Sequence, residues 1–266
     1  MPQVWRSNVN AEFQLPYGFM LSVGAMYTRD IYNVVQKNMN EKAPSGTYNE
    51  QPGRVYWTKN NYYDNPKTKT VIQLTNGDEK GYQYSFNAVL TKKFDFGFTG
   101  SFGYTYTMAK DMTANPGSSA ASVWQNNVAV NSLNDPGVSY SLFSTPHRLI
   151  ANASYEVAYA NMKTTVSLFY TGYQQGRFSY TYSNDMNGDG HYSDLTYVPA
   201  SKAAMTFVDI KDKQNNATYP AVDQQEDSWN YVNNDSSLNA HTGPSVERAS
   251  SFEPWIPRFH LKLAQD

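Results

Sequence analysis

Apolar and polar residues alternate with a period of two along much of the chain. Over 5–15, Trp5, Ser7, Val9, Ala11, Phe13 and Leu15 fall on one side. Arg6, Asn8, Asn10, Glu12 and Gln14 fall on the other, a split that a strand makes and a helix would scatter. After Pro16-Tyr17-Gly18 the alternation resumes with Phe19, Leu21, Val23, Ala25 and Tyr27, which predicts a hairpin with a tight turn. The same unit recurs. Tyr82, Tyr84, Phe86, Ala88 and Leu90 lead through Phe94-Asp95-Phe96-Gly97 into Phe98, Gly100, Phe102, Tyr104, Tyr106 and Met108. Leu149, Ala151, Ala153, Tyr155 and Val157 lead through 158–161 into Thr164, Val166, Leu168 and Tyr170. A last strand is expected over 258–266, with Phe259, Leu261 and Leu263 on one side and His260 and Lys262 on the other.

The connections alternate in length. Turns near 16, 95 and 159 are a few residues long, whereas the links at about 38–80, 112–145 and 174–256 are long and rich in Asn, Asp, Ser, Gly and Pro. Short turns at one end and long loops at the other mark an outer-membrane barrel, and links of this length count against an ordinary soluble domain. Aromatics crowd the short-turn end (Phe13, Phe19, Phe94, Phe96, Phe98, Tyr155, Tyr159), where a membrane–water interface would hold an aromatic girdle. The expected fold is therefore all-β: an antiparallel transmembrane β-barrel segment of about seven long strands, with short periplasmic turns and long extracellular loops, the barrel incomplete. The competing reading is a soluble β-sandwich with aromatic cross-strand pairs. The polar faces, rich in Gln, Asn, Ser and Thr and poor in Lys and Glu, favour a hydrated lumen.

Composition narrows the function classes. No cysteine occurs in the 266 residues, which removes disulfide scaffolds, thiolate metal sites and thiol catalysis. Lys+Arg 21 against Asp+Glu 23 gives no electrostatic footprint for nucleic acid. Mean hydropathy is −0.64 and no apolar run approaches the ~20 residues of a spanning helix, yet barrel strands remain allowed because half of each faces water. Met1 to Arg6 does not read as a signal peptide, so a cytosolic protein or a piece of a longer chain is expected.

The sharpest local motif runs from Asp185 to Asp194. Oxygen donors at Asp185, Asn187 and Asp189, followed by Gly190, match the first half of an EF-hand-type calcium loop. The carbonyl of His191 would be the next ligand. Thr196 stands where the closing Glu would be, so Asp194 would supply that carboxylate. The alternative is an Asx- and Gly-rich turn that binds nothing. Trp229, Tyr231 and Trp255 are candidate stacking contacts for a sugar ring or a peptide side chain, with loop packing as the competing role. Asp223, Glu226 and Asp227 could be cast as glycosidase carboxylates, but their setting reads as a solvated loop. No nucleophile elbow, HExxH spacing or phosphate-binding glycine loop is present, and no enzyme is expected. The glycosylation triplets at Asn152 and Asn216 are short enough to arise by chance.

Trp229-Asn230-Tyr231, Asp235, Leu238, His241, Gly243, Glu247-Arg248, Pro254-Trp255, Arg258-Phe259, Leu261-Lys262 and Gln265-Asp266 together resemble the late barrel of Oar-like TonB-dependent receptors, relatives of the SusC-like nutrient importers of Bacteroidetes. Tyr140 to Phe143, Pro146 to Leu149, Tyr180 to Tyr182 and Leu195-Tyr197-Pro199 extend the resemblance, which spans most of the chain and is densest from 140 onward. Ala249 departs from the family's frequent Asn and His260 from its common Asp. The resemblance implies residence in the bacterial outer membrane in contact with lipid. It implies a plugged barrel of roughly 22 strands that imports a large nutrient, glycan or peptide. It also implies coupling to the TonB complex through a missing N-terminal region, and a surface lipoprotein lid. Residues 1–266 would then be an internal piece of the barrel domain without plug or final strands, liable to aggregate away from detergent because a spanning sheet cannot leave its edges open. The runner-up is a soluble, calcium-dependent β-sandwich binding module.

Overall fold

Seven long strands form one antiparallel meander. The computed structural model describes residues 1–58, 61–63 and 70–266. The strands are β1 (Gln3–Leu15), β2 (Phe19–Tyr32), β3 (Tyr82–Lys93), β4 (Phe98–Asp111), β5 (His147–Tyr159), β6 (Met162–Gln174) and β7 (Trp255–Gln265). Each pairs with its neighbour in sequence, and Ser139–Tyr140 adds a short rung beside β4. The shortest has 11 residues and the longest 14, well beyond the mean of about 5–6 for strands in globular proteins. Strand makes up 48% of the chain and helix 12%, and no helix among the described residues is long and apolar enough to cross a membrane. β1 and β7 do not pair with each other, so the sheet is open at both edges and no closed barrel is formed.

The three tight turns lie at one end, as the alternation requires. Pro16–Gly18 turns with Tyr17 and Gly18 at φ 61° and 74°. Gly97 sits at φ 90°, and a Cβ there would lie 2.4 Å from the carbonyl oxygen of Glu156, so glycine is needed both for the conformation and for the approach of the neighbouring strand. Ala160 turns β5 into β6 at φ 50°.

Register carries the period-two pattern through the whole sheet. Ala11 lies opposite Val23, Val23 opposite Ala88, Ala88 opposite Tyr104, Tyr104 opposite Leu149, and Leu149 opposite Gly172. A second row runs Phe13, Leu21, Leu90, Phe102, Ala151, Tyr170 and Phe259. The other face carries Asn10, Gly24, Asn87 and Thr105 in one row, and Ser101, Asn152, Phe169 and His260 in another. A one-residue slip between any two strands would mix the faces, so the register follows from the sequence pattern.

Among the described residues nothing covers the apolar face. No apolar side chain of the seven strands is among the buried residues, and Val9 is 72% exposed, Phe86 54% and Leu261 76%. Both hydrophobic cores lie in the long links instead. One consists of Leu195, Val198, Met205, Val232, Leu238 and Val246, with Trp229 packed against it; the other of Trp124, Ala129 and Leu133. The links thus fold into a cap over one end of the sheet.

The cap is richer in regular structure than its composition suggests. Val34–Asn38 pairs with Ile72–Asn76, and α1 (Ala120–Gln125) is capped by Ser119 and Ser122. Residues 222–228, expected as a solvated loop, lie within α2 (Ala221–Asn234), followed by α3 (Ser236–Ala240), whose first amides are capped by Asp235. Polarity on the outer side of α2 hides a buried stripe of Gln224 and Val232. The last strand starts at Trp255 rather than 258, because Ile256 and Pro257 continue the ladder opposite Tyr173 and Gly172.

Arg248 fastens cap to sheet. Its guanidinium donates to the carbonyls of Asp111 and Met112, to Asp111 Oδ1 at 2.9 Å and to Asn127 Oδ1 at 3.1 Å. Ser139 donates to the Arg248 carbonyl at 2.9 Å. Replacing Arg248 with Ala is expected to cost the cap about 3 kcal/mol, since a carboxylate and two carbonyls lose their donor in a buried setting. Hydrogen exchange should then rise across 175–254 while the strand signal in circular dichroism holds; unchanged protection there would refute the anchoring role.

Candidate functional site

The turn at 185–194 is built on Asx geometry. Asp185 accepts from the amides of Gly188 at 2.7 Å and Gly190 at 2.9 Å, and Asn187 Oδ1 from the amide of Asp189 at 2.9 Å. Asp189 Oδ1 accepts from the amide of His191 at 2.8 Å, and Asp194 Oδ2 from that of Met186 at 2.9 Å. Side-chain oxygens taking up neighbouring amides make a self-capped turn. Gly188 is left-handed at φ 80°, and a Cβ there would lie 2.3 Å from the carbonyl of Trp57.

All three long links meet at this turn. The amide of Trp57 donates to the Asn187 carbonyl at 2.7 Å, and Asn187 Nδ2 donates to the Asn131 carbonyl at 3.1 Å. His191 lies edge-on to Trp124 with ring centroids 4.6 Å apart, and its Nε2 is 2.9 Å from the Tyr62 hydroxyl. Arg54, 1% exposed, donates to the Leu195 carbonyl and to Ser245 Oγ, with its Nη1 3.7 Å from Asp194 Oδ1. The side-chain oxygens nominated for calcium are thus turned toward backbone amides and Arg54. Among the described residues no group of three or more His, Asp or Glu side chains is arranged to hold a metal. As folded, this donor set caps the turn's own amides and does not fit a calcium loop.

Burial sets the electrostatics. It pushes the Asp189 carboxyl up to about 7, opposed by the His191 amide and reinforced by the charges of Asp194, Asp185 and Glu41. Burial also raises Glu41 to about 7, opposed by the Ser132 hydroxyl, whose single proton is shared between carboxylate oxygens at 3.1 and 3.0 Å. Asp194 is raised by burial, and the Met186 amide and Arg54 oppose the shift.

The three aromatic candidates part company. Trp229 is half-buried against the core of the cap. Tyr231 is 57% exposed at the mouth of a cavity of about 790 Å³, its hydroxyl 2.8 Å from that of Tyr180, which donates to Asp235 at 2.7 Å. Trp255 stands at the loop end of β7 opposite Gln174, on the apolar face and outside that cavity. Of the carboxylates weighed for hydrolysis, Glu226 pairs with Lys202 on the surface and Asp227 accepts from the Tyr219 hydroxyl at 2.6 Å beside the cavity. Tyr180, Tyr182, Tyr197, Phe207, Glu50 and Gln51, which also line it, went unrecognised as site residues. The spacing of Tyr180 and Tyr182 was a usable signal, whereas nothing local links Glu50 to them.

Compared with known proteins, the chain matches no family model, no curated protein and no solved structure.

The raised carboxyls give the cap a signed pH dependence. Between the ordinary value of 4.5 and about 7, the folded form binds a proton at Glu41 that the unfolded chain has released, so stability falls as pH rises through that window. The thermal midpoint of the cap is expected to drop between pH 5 and pH 8. Glu41→Gln should flatten that drop and raise the midpoint at pH 8 by about 4 °C. A variant with the parent's profile would remove Glu41 from the account.

Proposed function

We propose that this chain is part of the barrel wall of an outer-membrane TonB-dependent receptor that imports a large nutrient. The observation that carries the reading is the uncovered apolar face, continuous through seven strands in register and backed by a polar face. Water would charge roughly 25 cal/mol for each Å² of such a surface, and acyl chains charge nothing. The strand lengths agree, since about 9–11 tilted residues span a bilayer and every strand has at least 11. The open edges at β1 and β7 call for further strands, because unpaired amides and carbonyls in hydrocarbon cost several kcal/mol each.

On this reading the polar face, with Arg6, Asn8, Asn10, Glu12 and Gln14, lines the path beside a plug, and the cap lies outside the cell. The resemblance to Oar-like and SusC-like receptors supplies the rest: energy from the TonB complex and a surface lipoprotein as lid. The soluble sandwich needs a second layer over the Phe, Leu and Val rows, and the described residues provide none.

Membrane residence is tested by fractionation: the receptor should sediment with outer membranes and need detergent for extraction, and recovery in the soluble fraction would refute it. Val23→Arg is expected to cost roughly 2–4 kcal/mol if it lies near the bilayer midplane. Refolding into lipid vesicles reads this directly, and a change near zero would mean that the face assignment is inverted. The calcium expectation has its own test. A rise in the cap's thermal midpoint on adding calcium, lost in Asp189→Ala, would show that the carboxylates leave their amides for the ion; no shift rejects it.

A further inference from the structure

The cap cavity of about 790 Å³ has a composition that nothing so far explains. It joins two links distant in sequence: Glu50 and Gln51 come from the first, and the other lining residues from the third. Its floor includes Val198, Met205, Val232 and Leu238, which belong to the main core, so the cavity is a preformed feature of a packed unit. The volume lies within the range of about 300–1,000 Å³ typical of sites for ligands the size of a few amino-acid residues.

Three properties of the lining agree on the chemistry. Both formal charges on it, Glu50 and Asp227, are negative, and no Lys, Arg or His contributes. The buried Gln51 Oε1 has no hydrogen-bond donor among the described residues. Tyr180, Tyr182, Tyr197 and Tyr231 supply ring faces whose quadrupole attracts cations. Arg54 lies 5.5 Å from the ring of Tyr182 but is bound to Leu195 and Ser245, and so is occupied elsewhere. A neutral sugar can stack on the rings and donate hydroxyls to the carboxylates, but it brings no positive charge to balance Glu50 and Asp227. A peptide with a basic side chain uses all three features: N–H donors for Gln51, charge for Glu50 and Asp227, and a cation over tyrosine.

We propose that this cavity binds a peptide segment carrying lysine or arginine. The inference deepens the receptor reading, on which it rests for the route the peptide takes afterwards, whereas the binding step stands without it.

The test is fluorescence anisotropy on the full-length protein in detergent. The probes are a labelled tetrapeptide carrying lysine and arginine, its glutamate counterpart, and unlabelled maltohexaose as competitor. The basic peptide should bind saturably and weaken with salt, with neither acidic peptide nor sugar competing. Glu50 is exposed at the mouth, so Glu50→Gln leaves the fold intact and should weaken binding about fivefold. Tyr231→Ala should do the same by removing a ring face, again by about fivefold. Glu50→Lys should shift preference toward the acidic peptide. Absent or unsaturable binding, displacement by maltohexaose at equal or lower concentration, or affinities unchanged in all three variants overturns the proposal. Basic-peptide binding by a protein found in the soluble fraction would sink the receptor reading and leave the cavity assignment standing. A membrane-inserted receptor that ignores the peptide would do the reverse.

Discussion

An antiparallel sheet whose apolar side chains fall mostly on one face must find an apolar neighbour for that face. Among the described residues of this chain none supplies that neighbour. Seven strands, each longer than a typical globular strand, keep the Val, Leu and Phe rows aligned across every pairing, and none of those side chains is buried. A soluble sandwich or an α/β layer would fold a second element over the rows. The long links, which have the residues to do so, bury their own apolar groups in a separate core. The proposal of a lipid-facing wall rests on this division of labour, and the polar opposite face fits a watered interior.

The cap obeys a different constraint. Long links carry many backbone amides and carbonyls, and folding them together buries polar groups that need partners. Asx turns, the Ser119 cap and asparagine side chains meet that need locally. Buried arginines meet it over distance: Arg54 joins the first link to the third, Arg177 lies between the rings of Tyr140 and Phe252 at 4.1 Å from each, and Arg248 ties the third link to the end of β4. Guanidinium suits this role because its planar fork donates to several carbonyls at once while stacking on rings. The arginines are therefore structural clamps, and the acidic groups around Asp189 experience burial that raises their proton affinity.

Sheet and cap together suggest how such a molecule divides its work. The meander offers a regular wall whose chemistry repeats every second residue. The cap offers an irregular surface in which residues from separate links converge, and the tyrosine-walled cavity with its acidic mouth is the most developed example. Recognition is expected there rather than on the wall, since scaffolds hold still while loops carry specificity.

The strands, their tight turns and the two faces were legible in the sequence, because a period of two is a local property that adjacent residues display without help. Phe13 opposite Leu21, or Tyr155 opposite Val166, follows from alternation plus a short turn. Helix α2 was missed because its polar residues dominate the window and its buried side consists of few positions. The turn at 185–194 was recognised by its spacing, but whether its oxygens face an ion or amides depends on Trp57, Asn131 and Arg54, brought there from other links. Likewise Tyr231 was visible as an aromatic in a loop, while Glu50 and Gln51 became its neighbours only through folding. Periodic order is written in neighbouring residues and can be read from them; convergence of distant segments is set by packing and long-range hydrogen bonds, which no local pattern encodes.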